Sequence, residues 1–325
     1  MRQFCWMWML LNVLCVPAVR AQTTDGAYPS RPIRMIAPFT AGSTVDVMAR
    51  VTQEQLASRL GQNLVIDNRP GANGIIATEM VAKSRPDGYT MLISTGSFTG
   101  NVIATKKLPY DTVRDFAQIT QIARSYGLLL VVHPGVAANS IKELVAFAKA
   151  NPRKMSYASS GVGNMTNLVG ELLNVLGGVE INHVPYKGSA PALTDVMGRQ
   201  VDMTFISTVS VMPFIKAGRV KALALTGGER SPVMPQVPTF KEIGYPDFEM
   251  TGWYGLWFAA KTPPAIVNRI HTEIKRAVAS PEMKAKLDEL GLIGVACSPE
   301  DFAKFLREDL ALQMRIAKRA GIDPQ

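Results

Sequence analysis

The sequence predicts an α/β protein of two lobes, each built on a parallel-rich sheet flanked by helices. Three observations predict this fold class. Short apolar runs alternate with segments of helical periodicity, which is the pattern of parallel sheets with crossover helices. The same order of elements occurs twice, in residues 33–95 and 155–208. With 325 residues, 47% hydrophobic and 19% charged, the chain can bury a substantial core.

The N-terminus has the pattern of a secretory signal peptide. Arg2 precedes an apolar run over residues 4–16, and small residues at 19 and 21 mark a cleavage site after Ala21. The run is too short for a clean membrane span. We therefore expect residues 1–21 to be removed and the mature protein to be exported.

Residue counts exclude several classes of protein. Three cysteines and three histidines are too few for a zinc or iron–sulfur scaffold. Cleavage would leave Cys297 alone, so no disulfide is expected within the mature chain. The net charge is +9, but the basic residues are scattered and form no patch interleaved with aromatic residues. We expect no nucleic-acid partner and no metal.

The first unit of the repeat starts at an apolar run and continues with alternating loops, helices and strands. Gly61 ends its first helix, and a Pro-Asp-Gly turn precedes its last strand. The predicted elements are a strand at 33–37, a loop at 38–43, a helix at 45–60, a strand at 64–66, a loop at 69–74, a helix at 75–83 and a strand at 90–93, followed by Ser94 and Thr95.

The second unit repeats this order with little identity between the residues. Gly177 and Gly178 end its first helix. The predicted elements are a strand at 155–158, a loop at 159–164, a helix at 165–176, a strand at 180–184, a loop at 185–189, a helix at 190–197 and a strand at 201–206, followed by Ser207 and Thr208.

Two strand-like segments, 119–133 and 250–260, lie outside both units and are candidates for crossings between lobes. If both cross, the second lobe is an insertion in the first. The predicted organisation is lobe 1 at residues 22–124 and 254–325, and lobe 2 at 125–253. C-terminal helices should start near Pro263-Pro264 and near Ser298-Pro299, because proline is favoured in the first helical turn and serine caps it.

Small polar residues follow the strands of both units. In open α/β sheets ligands bind at the carboxyl ends of the strands. Backbone N–H groups and hydroxyls at a helix N-terminus favour an anion without a fixed cation. Loops 40–43 and 159–164 both fit, so a cleft between the lobes should bind a carboxylate or dicarboxylate. By the same strand-end argument, Ser94, Thr95 and Ser97 are candidates in the first lobe.

Known catalytic patterns are incomplete. The Gly161-Val-Gly163 run resembles a dinucleotide fingerprint, but Thr166 replaces its third glycine. The sequence has no phosphate-binding Gly-Lys-Ser/Thr loop and no Gly-x-Ser-x-Gly nucleophile motif. Asp46 and Arg50 are four residues apart on one helix, which predicts a surface ion pair. We therefore expect a binding protein and not an enzyme.

Motifs along nearly the whole mature chain resemble one family. Residues 38–50, Pro-Phe-Thr-Ala-Gly-Ser-Thr-Val-Asp-Val-Met-Ala-Arg, resemble the P-F-x-x-G-G-x-x-D-x-x-A-R signature of the Bug-type receptors, the solute-binding proteins of tripartite tricarboxylate transporters. The resemblance continues at residues 67–74, 86–90, 157–163, 184–188, 230–232 and 237–239.

The resemblance implies a two-lobed class II periplasmic-binding-protein fold with the ligand cleft between the lobes. It implies a location in the periplasm, a small carboxylate ligand, membrane transporter subunits as partners, no catalysis and no cofactor; we expect a monomer. The ligand groups implied by matching motifs are Phe39, Thr40, Ala41, Gly42, Ser43, Ser159, Ser160, Gly161 and Asn164, with Lys187, Gly188, Ser207 and Thr208 as further candidates in the second lobe.

Two residues depart from the family pattern. Ser43 replaces the second glycine of the signature, and Asn167 stands where histidine is frequent. Ser43 adds a hydroxyl inside the predicted cradle, so ligand choice does not follow by analogy. Two other functions share the same pocket or fold: a ligand-sensing partner of a membrane signalling protein, and an exported α/β enzyme that keeps the cleft.

Overall fold

Two β-sheets organise the chain, and we use them to define the lobes. The structure is a computed structural model that describes residues 28–248, 250–319 and 321, so the predicted signal peptide lies outside the described residues. The strands of lobe 1 are β1 (Ile33–Ala37), β2 (Leu64–Asn68), β3 (Thr90–Ser94), β4 (Phe116–Ser125), β10 (Trp253–Ala259) and β11 (Leu292–Gly294). Those of lobe 2 are β5 (Leu128–Val132), β6 (Ser156–Ser159), β7 (Asn182–Pro185), β8 (Met203–Ser207) and β9 (Lys221–Leu225).

Helices follow the strands in both lobes. In lobe 1 these are α1 (Thr44–Leu60), α2 (Ile75–Ala82), α3 (Ser97–Ala104), α8 (Pro264–Val278), α9 (Pro281–Glu289) and α10 (Pro299–Arg319). In lobe 2 they are α4 (Ile141–Ala150), α5 (Met165–Gly177), α6 (Ser189–Met197) and α7 (Thr208–Lys216). The predicted starts of the C-terminal helices are confirmed at α8 and α10, while α9 between them was not predicted.

The internal repeat is present in the topology. The strand orders are β2-β1-β3-β10-β4-β11 in lobe 1 and β7-β6-β8-β5-β9 in lobe 2. The first three strands of each order are parallel, and the fourth strand of each, β10 or β5, runs antiparallel to its neighbour. The predicted two-lobed α/β fold is confirmed, with sheets that are mixed because the crossing segments add antiparallel strands.

Equivalent caps begin and end the first helix of each unit. Ser43 Oγ accepts from the Asp46 N–H at the start of α1, and Asn164 Oδ1 accepts from the Thr166 N–H at the start of α5. Gly61 and Gly178, both with left-handed φ, end these helices. Such caps satisfy backbone groups that a helix leaves unpaired. They therefore set where each helix begins, next to the loop before it.

The lobes are joined where the chain passes between sheets. Only residues 126–127 separate β4 from β5, and the chain returns to lobe 1 at β10. Thr226 connects both passes: its Oγ1 accepts from the Leu128 N–H at 2.9 Å and donates to the Met250 carbonyl at 2.5 Å. Helix α10 contacts β4 and α3 of lobe 1 and also α5 of lobe 2. The strand ends of the two units thus face each other.

Candidate functional site

A small cavity lies between the lobes at the carboxyl ends of the parallel strands. Its volume is about 40 Å³, and none of its lining side chains is charged. Lobe 1 with its return segment contributes Phe39, Ser43, Thr44, Thr95, Gly96, Ser97, Gly252 and Tyr254, and lobe 2 contributes Leu128, Ser160, Asn164, Met165, Thr166, Ser189, Ile206 and Ser207. A larger groove of about 460 Å³ lies on lobe 2 beside α4 and β9, and it contains no predicted site residue.

Four helices begin at the cavity. Thr44, Ser97, Met165 and Ser189 are the first residues of α1, α3, α5 and α6, and all four line it. The N–H groups of a first helical turn have no partner within the helix, and each helix N-terminus carries about half a positive charge. Two such termini come from each lobe. These helix termini therefore favour an anion in a cavity whose lining has no lysine or arginine.

Buried hydroxyls without partners surround this centre. Ser189 lines the cavity, and its Oγ is buried without a hydrogen-bond partner among the described residues. Thr40 Oγ1 and Ser94 Oγ, at the ends of neighbouring strands, are also buried and unpaired there. An unpaired buried hydroxyl costs free energy that a ligand acceptor can recover. These groups favour a ligand rich in hydrogen-bond acceptors.

Asp46 holds the loop before α1. It is 2% exposed, and Oδ2 accepts from the Gly42 N–H at 2.9 Å and from Arg50 Nε at 3.0 Å. Asn68 Nδ2 donates to Oδ1 at 3.1 Å. Burial by itself would raise the pKa of Asp46, but the hydrogen bonds from Arg50, Gly42 and Asn68 outweigh burial and lower it. The predicted ion pair with Arg50 is confirmed, but its placement at the surface was wrong for Asp46, whose carboxylate is buried and positions the loop.

The glycine-to-serine departure is explained by backbone geometry. Gly42 has φ of 78°, a left-handed value that favours glycine. Ser43 has φ of −71°, which any residue adopts, and its side chain caps α1. Serine at 43 thus preserves the loop and places a hydroxyl in the lining of the cavity.

Asn167 holds the corresponding loop of lobe 2. Its Oδ1 accepts from the Gly163 N–H at 2.9 Å, and its Nδ2 donates to Tyr157 Oη at 2.8 Å. Tyr157 in turn donates to Glu171 Oε1 at 2.5 Å. Burial, followed by the charge of Glu171, raises the pKa of the Tyr157 phenol. The asparagine departure therefore lies behind the cavity, where it supports the Gly161–Gly163 loop.

Ser159 and His183 form a pair that superficially resembles a nucleophile and its base. Ser159 Oγ is 2.6 Å from His183 Nε2, and burial lowers the pKa of this histidine although the charge of Glu171 opposes the shift. Ser159 is fully buried and also accepts from the Gly161 N–H. Neither residue lines the cavity. The pair holds β6, β7 and the loop after β6 together.

The predicted site residues divide into two groups. Those that line the cavity are Phe39, Ser43, Thr95, Ser97, Ser160, Asn164 and Ser207. Those that do not are Thr40, Ala41, Gly42, Ser94, Ser159, Gly161, Lys187, Gly188 and Thr208.

Several residues of the second group have other positions at the lobe boundary. A Cβ added to Gly188 would lie 3.3 Å from Thr40 Oγ1, so these two residues meet beside the cavity. Thr208 Oγ1 donates to the Leu290 carbonyl at 2.9 Å, a bond between lobes. Lys187 is exposed.

Tyr254, Leu128 and Gly252 line the cavity from the segments that join the lobes, and none of them was predicted as a site residue. Tyr254 is 2% exposed, and its hydroxyl is 3.2 Å from Ser207 Oγ across the lobe boundary. Burial raises the pKa of this phenol. The unpredicted lining residues are Thr44, Gly96, Leu128, Met165, Thr166, Ser189, Ile206, Gly252 and Tyr254. The helix-start rule could have found Thr44, Met165 and Ser189, whereas Leu128, Gly252 and Tyr254 carry no local signal.

The described residues contain neither a cluster of metal ligands nor a membrane-spanning helix. Within residues 28–248, 250–319 and 321, no three His, Cys, Asp or Glu residues are grouped as metal ligands would be. In the same part of the chain no helix has the length and apolar character to cross a membrane. Cys297 is a free thiol, partly buried, and burial raises its pKa.

Comparison with known sequences identifies a family and a relative. The family model described as "Tripartite tricarboxylate transporter family receptor" matches residues 48–322. Protein BugT of Bordetella pertussis is 32% identical over 310 residues, which cover 95% of this chain and 95% of BugT.

Solved structures with the same architecture include three at 29–35% identity. An R. palustris protein solved with adipate has a TM-score of 0.90 and 35% identity, covering 92% of this chain and 100% of that protein. Periplasmic binding protein BugD has a TM-score of 0.88 and 32% identity, covering 92% and 100%. MatC from Rhodopseudomonas palustris with bound malate has a TM-score of 0.85 and 29% identity, covering 89% and 99%.

Proposed function

Because the chain belongs to the family of tripartite tricarboxylate transporter receptors, we propose that it binds a small carboxylate between its lobes and delivers it to a membrane transporter. Two of the similar structures contain a dicarboxylate, adipate or malate. The ligand proposed here is accordingly a mono- or dicarboxylate with a short carbon skeleton.

One observation carries this proposal: four helix N-termini meet at a cavity without cationic side chains. Two termini in each lobe supply about one unit of positive charge per lobe. A carboxylate bound there is neutralised by dipoles and hydrogen bonds and needs no lysine or arginine. The apolar Phe39, Leu128, Met165 and Ile206 line the same cavity and suit the carbon skeleton of the ligand.

Ligand binding would favour the closed arrangement of the lobes. The lining residues come from both lobes, so a ligand can contact all of them only when the lobes are together. A ligand shifts a conformational equilibrium by the difference in its affinity for the two states. We therefore expect the carboxylate to increase the population in which α1 and α5 face each other across it.

Thermal-shift screening of the exported, mature protein against carboxylates tests the proposal. The protein is first unfolded and refolded to release any bound ligand, and neutral amides and sugars serve as controls. At one hundred times its Kd, a ligand should add about 2.7 kcal/mol to the free energy of unfolding. Stabilisation by acids alone supports the receptor function. No shift with any acid contradicts it.

A bulky substitution locates the ligand. Ser160 is 8% exposed and lines the cavity, so Ser160→Phe should abolish binding of the carboxylate found in the screen. Ser58, exposed on α1, provides the matched control, and Ser58→Phe should bind normally. Unchanged affinity in Ser160→Phe would contradict the assigned site.

Export, delivery to a transporter and the absence of catalysis are parts of the same proposal. N-terminal sequencing of the periplasmic protein should begin at Gln22, as cleavage after Ala21 predicts. Capture of transporter membrane subunits by the liganded protein supports delivery, whereas capture of a signalling protein favours a sensor. The identified carboxylate should be recovered chemically unchanged, and its turnover would favour an enzyme.

A further inference from the structure

Asn73 occupies a special backbone position in lobe 1. It lies in the short turn between β2 and α2, with φ of 49° and ψ of 33°. Asparagine tolerates this left-handed region better than most residues. Gly71 and Gly74, also with positive φ, flank the turn. The backbone thus presents one amide side chain toward lobe 2.

Hydrogen bonds from lobe 1 orient this amide. Asn73 Nδ2 donates to Asn101 Oδ1 at 2.8 Å, and Asn101 Nδ2 donates to the Asn73 carbonyl at 3.2 Å. Asn101 is 1% exposed, so the supporting side chain is itself buried. With Nδ2 engaged inside lobe 1, Oδ1 of Asn73 remains as the acceptor on the side of lobe 2.

Lobe 2 meets this acceptor at two points. Asn164 Nδ2 donates to Asn73 Oδ1 at 3.2 Å. Gly161 packs on the same atom, since a Cβ added there would lie 3.0 Å from Asn73 Oδ1. Both partners belong to the loop that precedes α5.

The contact continues to the lining of the cavity. Asn164 Oδ1 accepts from the Thr166 N–H at 3.0 Å and from Thr166 Oγ1 at 3.1 Å. Thr166 Oγ1 in turn accepts from the Ser160 N–H at 2.8 Å. Asn164, Thr166 and Ser160 all line the cavity, whereas Asn73 does not. One chain of hydrogen bonds therefore runs from lobe 1 through Asn73 to the cavity wall of lobe 2.

We propose that Asn73 is a positioning residue that latches the lobes in the closed state. The inference rests on the proposed function, because it assumes that the lobes separate to admit a ligand. The hydrogen bond between Asn73 and Asn164 exists only while the lobes are together, so this bond stabilises the closed state alone. Asn164 also caps α5, so the latch orients the helix N-terminus that faces the ligand.

Substitutions at Asn73 separate the latch from the backbone turn. Asn73→Gly keeps the left-handed conformation and removes the amide. Asn73→Asp keeps the conformation and an acceptor for Asn164 Nδ2, but it loses the donor to Asn101 Oδ1. Gln53→Ala is the control, because Gln53 Nε2 donates to the Leu64 carbonyl at 2.6 Å entirely within lobe 1.

The lifetime of the closed state is the decisive measurement. Single-molecule energy transfer between dyes at the exposed positions 83 and 154, one in each lobe, reports it in a Cys297→Ser background. Loss of one neutral hydrogen bond should shorten the closed lifetime of Asn73→Gly by about 2- to 12-fold, with and without ligand. The ligand dissociation rate should rise by the same factor while the association rate is unchanged.

The other variants distinguish a latch from a general loss of stability. In the unliganded protein, the closed state of Asn73→Asp should last longer than that of Asn73→Gly, because the aspartate keeps an acceptor for Asn164 Nδ2. Gln53→Ala should unfold more readily but close as wild type does. An unchanged closed lifetime in Asn73→Gly, or a wild type that never closes, overturns the latch. Failure of every carboxylate to bind a wild type that still closes refutes the proposed function instead.

Discussion

Replacing Ser189 by alanine should change stability and ligand affinity in opposite directions. Ser189 is 7% exposed, and its Oγ is buried in the cavity lining without a hydrogen-bond partner among the described residues. Leaving a buried polar group unpaired costs about 1–3 kcal/mol. Ser189→Ala removes that cost, so the free energy of unfolding of the unliganded protein should rise by up to this amount.

Ser189→Ala also removes a hydroxyl that can donate a hydrogen bond to the ligand. A hydrogen bond to a charged group contributes about 1.5–3 kcal/mol, which corresponds to about a 12- to 160-fold change in Kd. Urea denaturation of the refolded protein measures the first effect, and calorimetric titration with the carboxylate found by thermal shift measures the second.

A second serine provides the matched control. Ser231 Oγ is also buried and unpaired among the described residues, but Ser231 does not line the cavity. Ser231→Ala should raise stability and leave Kd unchanged. If Ser189→Ala also leaves Kd unchanged, the Ser189 hydroxyl does not contact the ligand and the reasoning from unpaired groups is refuted.

Three further predictions concern the loops and the lobe boundary. Asp46→Asn should lower the free energy of unfolding at neutral pH by about 1.5–3 kcal/mol. Because the pKa of Asp46 is lowered in the fold, wild type should lose its higher stability as the pH falls through the folded-state pKa. Urea denaturation in acid should therefore show a smaller difference in the free energy of unfolding between wild type and Asp46→Asn. Burial of His183 lowers its pKa below 6.5, despite the opposing charge of Glu171. The neutral histidine therefore contributes to stability above pH 6.5, and this contribution is lost as the pH falls below that value. Below pH 6.5 the free energy of unfolding of wild type should fall more steeply than that of His183→Gln. Gly163→Ala should raise Kd by more than about tenfold, since its Cβ would lie 1.9 Å from the Cβ of a lobe 1 alanine. Gly218→Ala, with a similar φ and no neighbour within 4 Å, should bind normally in the same titration.

Local patterns in the sequence were sufficient for the repeated strand–loop–helix units. Apolar periodicity and helix-ending glycines depend on neighbours within a few positions, so α1 and α5 were predicted with their glycine ends. Helices α3, α4, α7 and α9 were not predicted. Three of these four have only eight or nine residues, which is too few for a clear helical period.

Part of the cavity lining was predictable from the family motifs and from where the strands end. Ser43, Ser160 and Asn164 line it because they stand where a strand ends and a helix begins, a position that is visible in one dimension. The sequence thus determined the fold class, the two units and the chemistry of the loops that face each other.

Only the tertiary structure decided which distant residues complete the site. Tyr254 reaches the cavity because it lies at the start of β10, which pairs with β3 where the chain returns from lobe 2. Asp46 is buried because Asn68 and Gly42 converge on it. Asn73 meets Asn164 from 91 residues away. Such contacts depend on how the sheets pair and how the lobes pack. No periodic pattern in the sequence indicates these contacts, because the residues that meet are neighbours in space and not in the chain.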